Sequence, residues 1–157
     1  MTQLDAHPPD LARYRARELF ARDRTCRGLG IRLDAAGPGR ATLRMRVVDE
    51  MANGHGIAHG GYLFLLADAA FAVASNTWGP VALAQGAQVT FLRPAAVGDE
   101  LLAAAAARTR SGRTGVYDVT VRRVDGPVVA EFRGTSVSVA GAGSLRPHRT
   151  DEEGPDA

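Results

Sequence analysis

The chain has 157 residues, the length of one ordinary globular domain, and 45% of them are hydrophobic, enough to build a packed core. A net charge of +2 is too mild to point to a nucleic-acid partner, even with a pI near 9.2, and all 19 basic residues are Arg. Cys26 is the only cysteine, which excludes an internal disulfide and fits a reducing, cytoplasmic setting.

Residues 1–9 read as a flexible polar lead, and positions 1–10 lack the apolar core of a secretory signal. Asp10 is the expected N-cap of a helix running to position 24, with Ala12, Ala16, Leu19 and Phe20 on one face and Arg13, Arg17 and Arg24 in water. A short apolar strand is expected at 29–33, followed by a turn at Gly37-Pro38-Gly39. The next strand, 41–47, alternates Ala41, Leu43, Met45 and Val47 with Thr42, Arg44 and Arg46, the period-2 pattern of a half-buried strand. After a Gly-containing loop at 51–58, a long apolar helix is predicted from position 59 to about 75, ended by Gly79-Pro80.

The remainder reads as a β-meander of four strands, 84–93, 100–109, 114–124 and 127–139, with Asp125-Gly126 as a hairpin signal. Gly134 is the expected site of a bulge, because the apolar face switches there from Val128, Ala130 and Phe132 to Val137 and Val139. The run 101–107 favours helix by propensity, but its place between turns and the general excess of Ala favour strand. Residues 141–157 have the composition of a disordered tail. One long helix set into an antiparallel sheet is an α+β plan, and a curved sheet around that helix would bury it on nearly all sides.

Asp68 is the most informative residue. It stands alone in an apolar segment, 62–74, which is also too short to span a bilayer. A buried lone carboxylate is costly unless it is paired or used, and burial raises its pKa toward that of a general base. The competing reading is a carboxylate bonded to a nearby Arg or a backbone amide. His59-Gly60-Gly61 opens the same helix. The first N–H groups of a helix lack internal partners and favour negative charge, and glycine allows close approach of a substrate carbonyl. The Gly60 N–H is therefore a candidate oxyanion donor; the competing reading is a tight helix entry.

Gly60 and Asp68 are eight residues apart, about 12 Å along a helix axis. A donor and a base that act on one carbonyl must both lie about 3 Å from the reacting centre. One helix cannot satisfy both, whereas two antiparallel copies across a two-fold axis can. If both residues are catalytic, the minimal unit is a dimer.

Asn53 in the preceding loop is a candidate to orient water or the acid, and His55 or His59 to act as base or donor. Asn-Gly is also an ordinary turn pair. A metal site is not expected, since His55 and His59 have no third ligand at useful spacing. No G-x-S-x-G elbow is present, and Cys26 reads as structural. Arg93, Arg108, Arg110 and Arg113 lie at strand ends and are candidate phosphate contacts, Arg93 and Arg113 foremost, with Gly61 as a further substrate contact; the competing reading for any one Arg is a solvated charge.

These motifs together resemble a known family. Asn53-Gly54-His55-Gly56, His59-Gly60-Gly61 and Asp68 followed by Ala70, supported by Phe91-Leu92-Arg93-Pro94, the stretch 114–119 and Phe132-Arg133-Gly134, are similar to the hot-dog-fold thioesterases of the phenylacetate pathway (PaaI type). The resemblance covers roughly residues 12–140. It implies a hot-dog domain over 10–140, in which an antiparallel sheet wraps one long helix. It implies homodimers, often paired into a homotetramer, with the site at the dimer interface. Asp68 would act as base or nucleophile, Gly60 N–H would polarise the thioester carbonyl, and His59 and Asn53 would position the reactants. The implied substrates are phenylacetyl-CoA and its ring-hydroxylated forms. No metal or redox cofactor is implied, since coenzyme A belongs to the substrate, and neither a nucleic acid nor a membrane is an expected partner. The alternatives are a medium-chain acyl-CoA thioesterase and a non-catalytic module that binds acyl-CoA.

Overall fold

The computed structural model describes residues 8–139; the predicted tail at 141–157 and most of the predicted lead lie outside them. Helix α1 spans Pro9–Ala21 and α2 spans Arg24–Gly28. The N-cap of α1 is Pro8, not Asp10, and it makes no side-chain capping bond; Asp10 sits inside the first turn, where its charge favours the helix dipole. The expected continuous helix to position 24 is broken because Asp23 starts a new one, its Oδ1 accepting from Cys26 N–H at 2.8 Å.

Strand β1 is Arg32–Gly37, displaced from the expected 29–33. Leu29 ends α2, Gly30 takes φ +68°, and Ile31 N–H bonds back to the Cys26 carbonyl at 2.9 Å, so those residues close the helix before any strand begins. Strand β2, Arg40–Arg46, follows its alternation: Ala41, Leu43 and Met45 are buried. Then come α3 (Gly60–Ser75), β3 (Ala82–Phe91), β4 (Glu100–Ser111), β5 (Thr114–Arg123) and β6 (Val128–Ser138). The 101–107 run is strand, with Leu101, Ala103 and Ala105 buried in alternation.

All pairings are antiparallel and the strand order is β1-β2-β4-β5-β6-β3. Only β4, β5 and β6 form the expected meander. β3 lies at the far edge against β6, because α3 carries the chain across the face of the sheet before it rejoins. With α3 packed chiefly on β2, β4 and β5, this is the hot-dog arrangement.

Two local expectations are corrected. Gly134 pairs regularly with Tyr117 and Ala87, and the irregularities fall instead at Gln85 in β3 and Val129 in β6. The inward face of β6 runs on through Ala130, Phe132, Gly134 and Ser136 without switching. Gly134 is required for room: a Cβ there would meet Phe71 ring carbons at 2.9 Å and Phe132 at 3.0 Å. Those rings and Tyr117 form one aromatic cluster, with Phe71 to Tyr117 centroids 5.5 Å apart and Phe71 to Phe132 5.8 Å. The β5–β6 hairpin exists, but four residues join its strands and Gly126 is not among the positive-φ glycines.

The expectation that α3 is buried on nearly all sides holds for one face only. Leu63, Leu66, Ala67, Ala70, Phe71, Val73 and Ala74 are buried. Leu65, Asp68, Ala69 and Ala72, at helical spacing on another face, are half-buried.

Gly134→Ala is expected to lower unfolding free energy by about 1–3 kcal/mol through overpacking. Gly86→Ala, where nothing lies within 4 Å and φ is not positive, is expected to be nearly neutral. Denaturant titration of both variants checks the contrast.

Candidate active site

The loop before α3 is built by Asn53. Its Oδ1 accepts from His55 N–H at 2.9 Å and from Ile57 N–H at 3.4 Å, and its own N–H bonds the Ile57 carbonyl at 2.8 Å. Asn53 therefore folds the loop through its oxygen, while its Nδ2 makes no hydrogen bond among the described residues. The loop is fastened to its neighbours by Ala58 N–H to the Ala95 carbonyl at 2.8 Å and His59 N–H to the Met51 carbonyl at 2.7 Å.

These bonds deliver His59 to the N-cap of α3. Its Nδ1 accepts from Gly61 N–H at 3.4 Å, and its carbonyl accepts from Tyr62 N–H at 2.9 Å. A neutral imidazole that accepts at Nδ1 carries its proton on Nε2, so the exposed ring presents a donor to solvent. Between these satisfied groups, Gly60 N–H has no acceptor among the described residues. It stands at the positive end of a 16-residue helix.

Asp68 lies two turns further along, on the half-buried face of α3. It makes no hydrogen bond or ion pair among the described residues, so no Arg or backbone amide among them holds the carboxylate. Desolvation alone raises its pKa above 3.8. The helix is unbroken from Gly60 to Ser75, so the axial separation of about 12 Å between Gly60 and Asp68 stands.

The arginines divide. Arg93 follows the end of β3 and donates from Nη1 to the Val128 carbonyl at 3.1 Å. Arg113 is exposed in the β4–β5 turn, near the opposite end of β3, where its carbonyl accepts from Ser138 N–H at 2.8 Å; the fold does not bring it to Gly60 of the same chain. Arg108 pairs with Asp118 at 3.3 Å and Arg110 lies over the Trp78 ring at 4.3 Å. Gly61 is exposed beside His59. The Cys26 thiol is buried and pushed up to about 12, first by burial and then by Asp23, which makes it inert. Among the described residues no three His, Cys, Asp or Glu side chains gather as metal ligands.

One neighbour of the site entered the sequence reading only as part of the Phe91-Leu92-Arg93-Pro94 segment and was given no site role there. The ring of Phe91 sits against Gly60, its Cζ 3.0 Å from where a Gly60 Cβ would stand. The signal available was a large apolar residue at a strand end, directly before Leu92-Arg93-Pro94.

Comparison with known proteins shows the family. Residues 55–130, which contain the loop histidine, Gly60, Asp68 and Phe91, match the thioesterase superfamily model. The acyl-coenzyme A thioesterase PaaI of Escherichia coli (strain K12) is 40% identical over 126 residues, covering 80% of this chain and 90% of that protein. The chain belongs to the thioesterase superfamily. It is a thioester hydrolase. The structure of the E. coli PaaI protein, from the phenylacetic acid degradation operon, matches this thioesterase with a TM-score of 0.83 at 39% identity over 85% of this chain and 96% of that one. A variant of the phenylacetic acid degradation protein PaaI from Thermus thermophilus matches at 0.72 and 38%, covering 74% of this chain and 100% of that one. The smu.793 protein of Streptococcus mutans UA159, solved bound to acetyl CoA, matches at 0.67 and 28%, covering 69% and 88%.

The raised pKa of Asp68 carries a sign. Its protonated form is favoured in the folded chain, so the associated stability is complete below about 3.8 and is lost as pH rises through the higher folded value. Asp68→Asn removes that loss. Its stability relative to wild type is expected to grow as pH rises from about 4 to about 7, read from denaturation midpoints at each pH. A difference that stays flat with pH contradicts the assignment.

Proposed function

We propose that this thioesterase hydrolyses acyl-CoA thioesters of the arylacetyl class to the free acid and coenzyme A, at a site shared between two copies of the chain. The observation that carries this reading is a pair of unsatisfied groups on one helix, the Gly60 N–H and the Asp68 carboxylate, too far apart to serve one carbonyl together. Two chains packed with their α3 helices antiparallel bring Gly60 of one beside Asp68 of the other. The half-buried stripe of Leu65, Asp68, Ala69 and Ala72 supplies a face for that packing, and its two alanines permit a close approach. The free edge of β3 is available to continue the sheet. A dimer is thus the smallest active unit, and a dimer of dimers is the proposed assembly.

In this mechanism the thioester oxygen accepts from Gly60 N–H, with His59 Nε2–H as second donor. Asp68 of the facing chain either takes a proton from water as the water attacks the carbonyl carbon, or attacks that carbon itself and is released by water. The C–S bond breaks, and the thiolate leaves as coenzyme A and takes up a proton. Asn53 Nδ2 is free to hold the water or the acid. Arg93, close to the Gly60 end, and Arg113, contributed from a neighbouring chain, are the proposed contacts of the coenzyme A phosphates. Coenzyme A enters with the substrate, and the step draws on no resident cofactor. The acyl-CoA name of the E. coli relative and the acetyl CoA bound to the S. mutans protein support an acyl-CoA substrate, and the phenylacetic acid degradation operon of the E. coli protein supports the arylacetyl group.

The test is thiol release from phenylacetyl-CoA. Asp68→Ala is expected to lose about a hundredfold or more in kcat, the scale of a lost acid–base group. Gly60→Pro deletes the donor at a helix position that tolerates proline, and His59 already has the extended backbone that precedes one, with φ −59° and ψ 133°. It is expected to cost about 10²–10³ in kcat, whereas Gly60→Ala, which adds a Cβ but keeps the N–H, costs much less. Turnover that survives Asp68→Ala overturns the assignment.

A further inference from the structure

The end of β3 meets the start of α3 through one side chain. Phe91 is the last residue of β3, held in register opposite Ala130. Its Cζ, Cε1 and Cε2 lie 3.0, 3.3 and 3.3 Å from the position a Gly60 Cβ would occupy. The three outermost ring carbons are thus the ones in contact, so the ring approaches tip-on and its faces are not used against the glycine. Half of Phe91 is exposed, as is half of Leu92 beside it. In the single chain this large aromatic is half uncovered beside Gly60, which is an informative exposure.

We propose that Phe91 selects the acyl group: its ring, seated on Gly60, is the surface against which the aromatic ring of an arylacetyl thioester packs, so that aryl thioesters are favoured over straight-chain ones. The inference rests on the reading of Gly60 N–H as the carbonyl donor. A backbone nitrogen and the Cβ position of the same residue are about 2.5 Å apart, which puts the ring tip within about 5.5 Å of the Gly60 nitrogen. The substrate oxygen sits about 3 Å from that nitrogen. In an arylacetyl group a single methylene separates the ring from the carbonyl. A link this short keeps the aryl ring near Gly60, beside which the Phe91 ring stands, and aromatic pairs attract in edge-to-face or offset geometry at separations of about 4.5–7 Å. A straight acyl chain in the same place gains apolar contact but no ring-to-ring attraction. Glycine at position 60 then serves twice: it bares the donor, and it leaves room for the ring that reads the substrate.

The position is rigid enough to discriminate. Ala58 N–H bonds the Ala95 carbonyl at 2.8 Å, and Ile57 bridges to Ala96, so the chain just past β3 is fastened to the loop that delivers His59 and Gly60. Leu92 N–H bonds the Val129 carbonyl at 2.8 Å on the other side. Phe91 is thereby tied to both the donor and the sheet.

The experiment compares kcat/KM for phenylacetyl-CoA and octanoyl-CoA in wild type and in Phe91→Leu, which keeps apolar bulk and removes the ring. The side chain is half-exposed, so the variant is expected to fold, and its Tm verifies this. Wild type is expected to prefer phenylacetyl-CoA. Phe91→Leu is expected to lose about three- to tenfold on phenylacetyl-CoA, with less than about a twofold change on octanoyl-CoA. An equal loss on both substrates makes Phe91 a structural or coenzyme A contact and overturns the proposal, as does an unchanged ratio. Wild-type protein that turns over neither substrate, nor a panel of other acyl-CoAs, overturns the parent reading as well.

Discussion

Helix α3 has to be apolar where it meets the sheet, yet it holds Asp68 with no partner among the described residues. Desolvation keeps that carboxyl above its ordinary pKa, so the fold is less stable for having it ionised. Groups retained against stability are where function concentrates. The rest of the arrangement follows from this residue. It lies on the face of α3 that the sheet leaves half-covered, and the donor it would work with stands two turns away on the same helix. On the proposed reading, the two groups serve one carbonyl only when a second helix is brought alongside.

The surrounding elements hold α3 in place at both ends. At its C-terminus, Asn76 Nδ2 donates to the Ala72 and Ala82 carbonyls, and its Oδ1 accepts from Ala82 N–H, tying the start of β3 to the end of the helix. At its N-terminus, the Asn53-folded loop sets His59 as the cap, and Phe91 brings the end of β3 against Gly60. Strand β3 is thus tied to α3 at both ends while its outer edge and most of its side chains stay open. A bared backbone donor, a histidine proton and an aromatic ring meet at one helix terminus. On the proposed reading these parts polarise a thioester and read what is attached to it.

Much of this was legible in the sequence. The period-2 pattern of 41–47 and the unbroken apolar run after His59 located β2 and α3 closely, because burial on a sheet face and on a helix imposes those periods. The motif residues from Asn53 to Asp68 carried the family. What was not legible depended on long-range pairing. Nothing local to residues 82–91 states that β3 pairs with β6 rather than β4, since the crossover is made by α3. Gly134 read as a bulge because Val137 and Val139 fall out of phase with Val128, Ala130 and Phe132, whereas the glycine is there to admit the Phe71 ring brought in from α3. Val129, the actual irregularity, is an ordinary strand residue with no local mark. Phe91 was invisible as a site residue for the same reason: its contact with Gly60 joins positions 31 residues apart in sequence.

The central claim is that one site takes its donor and its carboxylate from different chains, and mixing two dead variants tests it directly. Asp68→Ala and Gly60→Pro proteins are each purified, shown to be folded and inactive, then combined in equal amounts and allowed to exchange subunits. Random reassortment makes half the dimers mixed, and each mixed dimer holds one site with both groups intact. Recovery of about a quarter of wild-type thiol release is therefore predicted. Verified subunit exchange with no recovery would place both groups in sites built from a single chain and would contradict the account.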